Sequence, residues 1–216
     1  MNAIDELLDL LLPTKCALCP RLGSPICNQC RENFQAVESS VSRGQLNGLV
    51  VASFASDSQS ILHAFKENGQ TALAGFLADT MVSSLLRLAE SGQSPLLVPV
   101  PSSAANYKKR GFKPTRVLAK RLCRASGQAC ALTDSLSFKR IVADQAQLDA
   151  EARKANLADS MVADSLVAGR EVILFDDVVT TGSTLIEAAR AVTLAGGKVI
   201  GFLAFAETIL KTKLKS

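Results

Sequence analysis

Apolar positions along the chain recur with two periods, and the switches between them outline alternating strands and helices. Leu49-Val-Val-Ala-Ser-Phe54 and Leu96-Leu-Val-Pro-Val100 are short apolar runs that predict strands, the second ending in prolines. Helical spacing fills residues 58–68 and 71–90 between them, parted at Gly69, and residues 114–125 beyond them. Glu171-Val-Ile-Leu-Phe175 predicts the strongest strand, residues 183–195 a helix closed by Gly196-Gly197, and Lys198-Val-Ile-Gly-Phe-Leu-Ala-Phe205 a further strand. Strand, helix and strand over 171–205 make one βαβ unit, which requires a parallel sheet. Near the start, Ile4, Leu7, Leu8 and Leu11 sit at i, i+3, i+4 and i+7, a short amphipathic helix with an acidic polar face that Pro13 ends. Turn-prone residues 38–48 predict a linker, and the polar, weakly periodic residues 139–156 a loop able to move. The expected organisation is a small N-terminal module over 1–40 and an α/β domain over 41–216.

Composition supports that class. Of 216 residues, 48% are apolar but only 5% aromatic, and abundant Ala, Val and Leu suit branched strands packed by Ala-rich helices. A net charge of +4 suits an anionic ligand and nucleic acid equally. No run approaches the roughly 20 apolar residues of a membrane helix, and the first residues lack a basic signal region. The expectation is a soluble, cytoplasmic chain without membrane insertion.

The six cysteines then divide into a cluster and a remainder. Cys16-Ala-Leu-Cys19 and Cys27-Asn-Gln-Cys30 are two C-x-x-C pairs separated by seven residues. Each pair places two thiolates on one metal through a tight turn, and two pairs complete a tetrahedron. Such a site has no open position for water, so it is structural. Zinc is the expected ion, with iron the alternative, and Lys15, Arg21 and Arg31 offset its negative charge. Cys123 and Cys130 lack partners at ligand spacing and are expected to be packing residues.

The segment after the strongest strand carries the most specific chemistry. Two acids, Asp176 and Asp177, end the apolar run; Val178 and Val179 follow, then Thr180, Thr181, Gly182, Ser183 and Thr184 lead into a helix. Ligands of open α/β sheets bind at the carboxyl ends of strands. A helix N-terminus offers unpaired N–H groups and the positive end of a dipole, which suit a phosphate. Gly182 lets the backbone come close to the anion, and two carboxylates accept hydrogen bonds from vicinal sugar hydroxyls. The arrangement fits a ribose 5-phosphate. No Gly-Lys-Ser/Thr follows, so it is not a Walker-type loop.

At Ile173-Leu-Phe-Asp-Asp-Val-Val-Thr-Thr-Gly-Ser-Thr184 the sequence resembles the type I phosphoribosyltransferases, whose signature is an apolar strand, two acids and a Thr/Gly-rich turn. Four more features are similar to the ComF (also GntX) branch: the cysteine module, Val98-Pro-Val-Pro-Ser102, Lys109-Arg-Gly-Phe112, and Gln145-Ala-Gln-Leu148 with Arg153 and Asn156. Near the first helix Phe65-Lys66-Glu67 departs from the Lys-then-aromatic pair of that branch. The resemblance implies a parallel sheet flanked by helices, with a small zinc-binding module at its N-terminus. It implies phosphoribosyl pyrophosphate (PRPP), bound with Mg²⁺, as ligand. Asp176 and Asp177 would hold the ribose hydroxyls, and Val179, Thr180, Thr181, Gly182, Ser183 and Thr184 the 5-phosphate. Pro101, Ser102, Lys109 and Arg110 would hold the pyrophosphate. With Asp176 and Asp177, Arg110 and Arg153 are the catalytic candidates, Arg153 flanking a loop that closes over the site.

His63 is the only histidine and no Ser/His/Asp constellation is present. Phosphoribosyl transfer needs none, because an oxocarbenium-like state calls for charge stabilisation and positioning. Two readings stand: transfer of phosphoribose to an unknown acceptor, or a non-catalytic module that senses PRPP or binds nucleic acid. The resemblance links the branch to competence and DNA metabolism, which makes single-stranded DNA or a competence helicase a candidate partner.

Overall fold

A computed structural model describes residues 14–90, 94–142 and 150–208, without the side chains of residues 150, 151, 153 and 154. The predicted N-terminal helix and Gln145-Ala-Gln-Leu148 lie outside the described residues. The chain runs α1 (Asn28–Asn33), β1 (Ser39–Arg43), β2 (Leu46–Ser53), α2 (Ser56–Lys66), α3 (Leu73–Leu88) and β3 (Leu96–Pro99). It continues through α4 (Ala104–Arg110), α5 (Pro114–Ala125), β4 (Ala131–Leu132), β5 (Leu136–Phe138), α6 (Ala150–Leu157) and β6 (Met161–Ala163). The last elements are β7 (Glu171–Val179), α7 (Ser183–Leu194) and β8 (Lys198–Glu207).

Six strands form one sheet in the order β1-β2-β8-β7-β3-β4. All neighbours pair in parallel except β1 and β2. β5 and β6 make a separate antiparallel pair. The period of two along each central strand sorts side chains onto two faces. Ile173 and Phe175 of β7, with Leu203 and Phe205 of β8, face a core that also holds Ile61 and Phe65 of α2, Leu77 of α3 and Leu118 of α5. Val172, Leu174, Phe202 and Ala204 face a second core with α7 and the β5–β6 pair. Cys16 and Ile26 are buried within the first core, so the cysteine module is packed on the α/β body.

Two expectations change. Residues 38–48 are no linker: β1 and β2 form a hairpin, with Arg43 opposite Leu46 and Gly44-Gln45 as its two-residue turn. Gly44 has φ 61°, as the first central position of a hairpin turn requires. β1 is an edge strand with Val41 its one buried side chain, so its solvent-facing polar residues read as a linker. The expected mobile loop over 139–156 gives way at residue 150 to α6, which runs on to Leu157. Among the described residues no helix is long and apolar enough to cross a membrane.

Candidate functional site

β7 continues four residues past Phe175, so Asp176 and Asp177 lie inside the strand rather than after it. Side chains alternate along β7, and Asp177 follows Ile173 and Phe175 onto the side of α2. There its Oδ1 accepts a hydrogen bond from Lys66 Nζ at 2.9 Å. Asp177 is buried. Burial disfavours the Lys66 ammonium, but Asp177 outweighs it and holds the Lys66 pKa above its ordinary value. Asp176 Oδ1 accepts from the Asp177 N–H at 2.8 Å.

These residues floor a cavity of about 300 Å³ at the C-terminal edge of the sheet. Thr180, Thr181, Ser183 and Thr184 form one wall. α7 starts at Ser183, with Gly182 in the left-handed region at φ 79° just before it. Thr181 Oγ1 and Ser183 Oγ lie 2.9 Å apart. The opposite wall is Pro101, Ser102 and Ser103, kept beside β7 by the Val100 N–H donating to the Phe175 carbonyl. Ser103 caps α4 by accepting from the Asn106 N–H, and Arg110 at the far end of α4 also faces the cavity. Phe138, Val142 and Leu157 give it an apolar side.

Nine of the predicted residues therefore share one cavity: Asp176, Asp177, Thr180, Thr181, Ser183, Thr184, Pro101, Ser102 and Arg110. Val179 does not: it is buried in the second core. Gly182 shapes the turn without lining the cavity. Lys109 is exposed and pairs with Glu67. Arg153 lies on α6, and its side chain is outside the description.

Three participants were not anticipated. Lys66 and Glu67 sit at the C-terminal end of α2, and Lys66 one turn after Leu62 continues the helix's buried stripe, an anomaly that marks it. Arg43 left no such trace, because its segment reads as linker. Its Nε donates to the Thr180 carbonyl at 2.9 Å and its Nη2 pairs with Glu207 at 2.9 Å, clamping the turn from behind. A Cβ on Gly182 would lie 2.5 Å from Arg43 Cβ. Gly182→Ala is therefore expected to cost about 2 kcal/mol, from the strained φ and the displaced Arg43, read as a lower midpoint in thermal or denaturant unfolding.

Burial and the neighbouring Asp177 carboxylate push Asp176 up to about 7, against the pull of Lys66 and a backbone hydrogen bond. The folded chain thus binds more protons at Asp176 than the unfolded chain between about pH 4 and pH 7, and this residue's contribution to stability falls as pH rises across that window. Asp176→Asn is expected to stabilise the ligand-free protein by about 2–4 kcal/mol at pH 8 and by little at pH 4. Denaturant unfolding at the two pH values checks this; an equal effect at both would sink it.

The second candidate site is the cysteine cluster. The Sγ atoms of Cys16, Cys19, Cys27 and Cys30 all lie within 4.8 Å of one another, and those of Cys19 and Cys27 are 3.7 Å apart. A tetrahedron with Zn–S near ~2.3 Å has edges of ~3.8 Å, so the cluster fits such an ion. Burial opposes ionisation of Cys16, but N–H donors from Cys27 and Leu18 win and bring its thiol down to about 6. Cys27 beside it pushes Cys30 up to about 12. Four thiols so close cannot all ionise without a cation among them. Cys123 and Cys130 are both buried in the first core, their Sγ atoms 2.8 Å apart.

Comparison with known proteins agrees with this geometry. The phosphoribosyl transferase domain model matches residues 107–216. The chain is 27% identical over 194 residues to the DNA utilization protein YhgH of Salmonella typhi, covering 85% of this chain and 81% of that one. It is 26% identical over 197 residues to the DNA utilization protein YhgH of Escherichia coli (strain K12), with the same coverage. A shorter match, 54% identical over 39 residues, joins 18% of the chain to 20% of an orotate phosphoribosyltransferase of Pyrobaculum calidifontis.

Proposed function

We propose that this chain, which belongs to the phosphoribosyl transferase domain family, binds PRPP and transfers its phosphoribosyl group to an acceptor. The resemblance to the ComF/GntX branch runs well beyond the motifs, along 85% of the chain. One observation carries the reading: a pair of adjacent carboxylates and a hydroxyl-rich helix N-terminus wall the same cavity. The first suits a diol and the second a phosphate monoester, a few residues apart.

In this reading Asp176 and Asp177 accept hydrogen bonds from the ribose 2- and 3-hydroxyls, and Thr180 to Thr184 enclose the 5-phosphate. Pro101 and Ser102 offer the pyrophosphate a backbone wall, and Lys109 and Arg110 bring cations to it. Arg153, on α6, flanks the segment that in this reading closes over the site and excludes water from the electron-poor sugar. Mg²⁺ bound with PRPP would supply positive charge to the pyrophosphate. Asp176 and Asp177 also place negative charge beneath the ring, where positive charge develops as the pyrophosphate leaves. The cysteine cluster holds zinc as a structural clip. A site of four metal-holding thiolates is favoured by a reducing compartment, which supports a cytoplasmic location in this reading.

The relatives' name, DNA utilization protein, supports a second reading, a non-catalytic module that senses PRPP or binds nucleic acid. Calorimetry with PRPP and Mg²⁺ tests the PRPP site; no binding would overturn transfer and PRPP sensing alike. Pyrophosphate release on adding candidate bases or single-stranded DNA supports transfer. Salt-sensitive DNA binding without release supports the module.

A further inference from the structure

Lys66 and Glu67 are consecutive: Lys66 lines the cavity, and Glu67 pairs with Arg110, which lines it too. Lys66 meets Asp177 at the sugar end. Glu67 meets the other end: its Oε1 accepts from Arg110 Nη2 at 2.5 Å and its Oε2 from Lys109 Nζ at 3.0 Å. Arg110 is only 15% exposed, and its Nε is buried without a hydrogen-bond partner. The guanidinium is thus bonded along one edge by an internal acid, while its buried Nε has no partner. Burial raises the Glu67 carboxyl, but hydrogen bonds from Arg110 and Lys109 outweigh it and keep it below the ordinary range. Glu67 is also the C-cap of α2, where the helix dipole disfavours an acid, so its placement depends on those two cations.

We propose that Glu67 is an internal latch on the pyrophosphate half of the site. Its carboxylate occupies the anion position offered by Lys109 and Arg110, and an incoming pyrophosphate group has to displace it. This rests on the cavity being a phosphoribose site. The latched state binds pyrophosphate poorly, and apparent affinity is lowered by the fraction of molecules latched. Removing the carboxylate removes that penalty. It leaves the sugar-phosphate half untouched, since among the described residues the ion pairs of Glu67 run to Lys109 and Arg110. A ligand with a pyrophosphate therefore gains from the change, and one without it does not.

The test is calorimetric titration of wild type and Glu67→Gln with three probes: PRPP with Mg²⁺, inorganic pyrophosphate with Mg²⁺, and ribose 5-phosphate. The expected result is that PRPP and pyrophosphate bind about tenfold tighter to Glu67→Gln, while ribose 5-phosphate is unchanged. Glu67→Ser, which also lacks the carboxylate, gives the same pattern. Unchanged or weaker pyrophosphate binding in both variants overturns the latch, as does an equal shift for all three probes. If wild type binds pyrophosphate but neither PRPP nor ribose 5-phosphate, the phosphoribose reading fails, and the latch with it, because it rests on that reading.

Discussion

Calorimetric titration of the Asp176→Ala/Asp177→Ala variant with PRPP and Mg²⁺ is expected to record no binding. A hydrogen bond to a charged group contributes about 1.5–3 kcal/mol. Losing one from each carboxylate therefore weakens binding by roughly two to four powers of ten. The single variants carry a sharper signature, because the two acids have opposite effects on the ligand-free fold. Asp177 neutralises Lys66 at 2.9 Å, and Asp177→Ala leaves that ammonium largely buried and unpaired. The expected cost is about 2 kcal/mol, less than for a fully enclosed pair because Lys66 keeps some access to the cavity. Asp176, by contrast, is held with its carboxyl raised to about 7, and its neutralisation relieves the fold at pH 8. Both variants lose PRPP; one loses stability and the other gains it. Retained binding in the double variant would refute the site.

Metal removal is the second large effect. Purified protein is expected to contain about one equivalent of zinc or iron per chain, with elemental analysis distinguishing the two. Cys27→Ser, or a strong chelator, should release it. Structural zinc sites supply apparent free energies of about 10–16 kcal/mol in small isolated peptides. Here the module also packs through Cys16 and Ile26 onto the core that holds α2 and α3, so the loss is partly buffered. The expected outcome is loosening of the segment around residues 14–34, read as rapid tryptic cleavage at Arg21 and Arg31. A fall of several degrees in the thermal midpoint accompanies it. A metal-free protein with four titratable thiols here and an unchanged cleavage pattern would be incompatible with a structural metal.

The parts of this molecule that could be read from sequence are those whose determinants are close along the chain. The apolar run of β7, its two acids, the small polar turn and α7 occupy about two dozen consecutive positions, so their order already dictates strand, carboxylates and helix N-terminus in contact. The two C-x-x-C pairs are likewise local, and a tight turn brings each pair of thiols together whatever the rest of the fold does. The alternation of Ile173 and Phe175 with Val172 and Leu174 on opposite faces follows from strand geometry alone.

The tertiary structure decided what joins these pieces. Lys66 meets Asp177 across 111 positions, Arg110 meets Glu67 across 43, and Arg43 meets Thr180 across 137. Each contact depends on the strand order β1-β2-β8-β7-β3-β4, which carries the β1–β2 hairpin and the end of α2 to the carboxyl edge of β7. Period and composition are properties of a segment and carry no record of which other segment lies beside it. A polar edge strand such as β1 therefore looks like a linker until its partner is known, and a lysine on the buried stripe of α2 has no visible partner until Asp177 faces it.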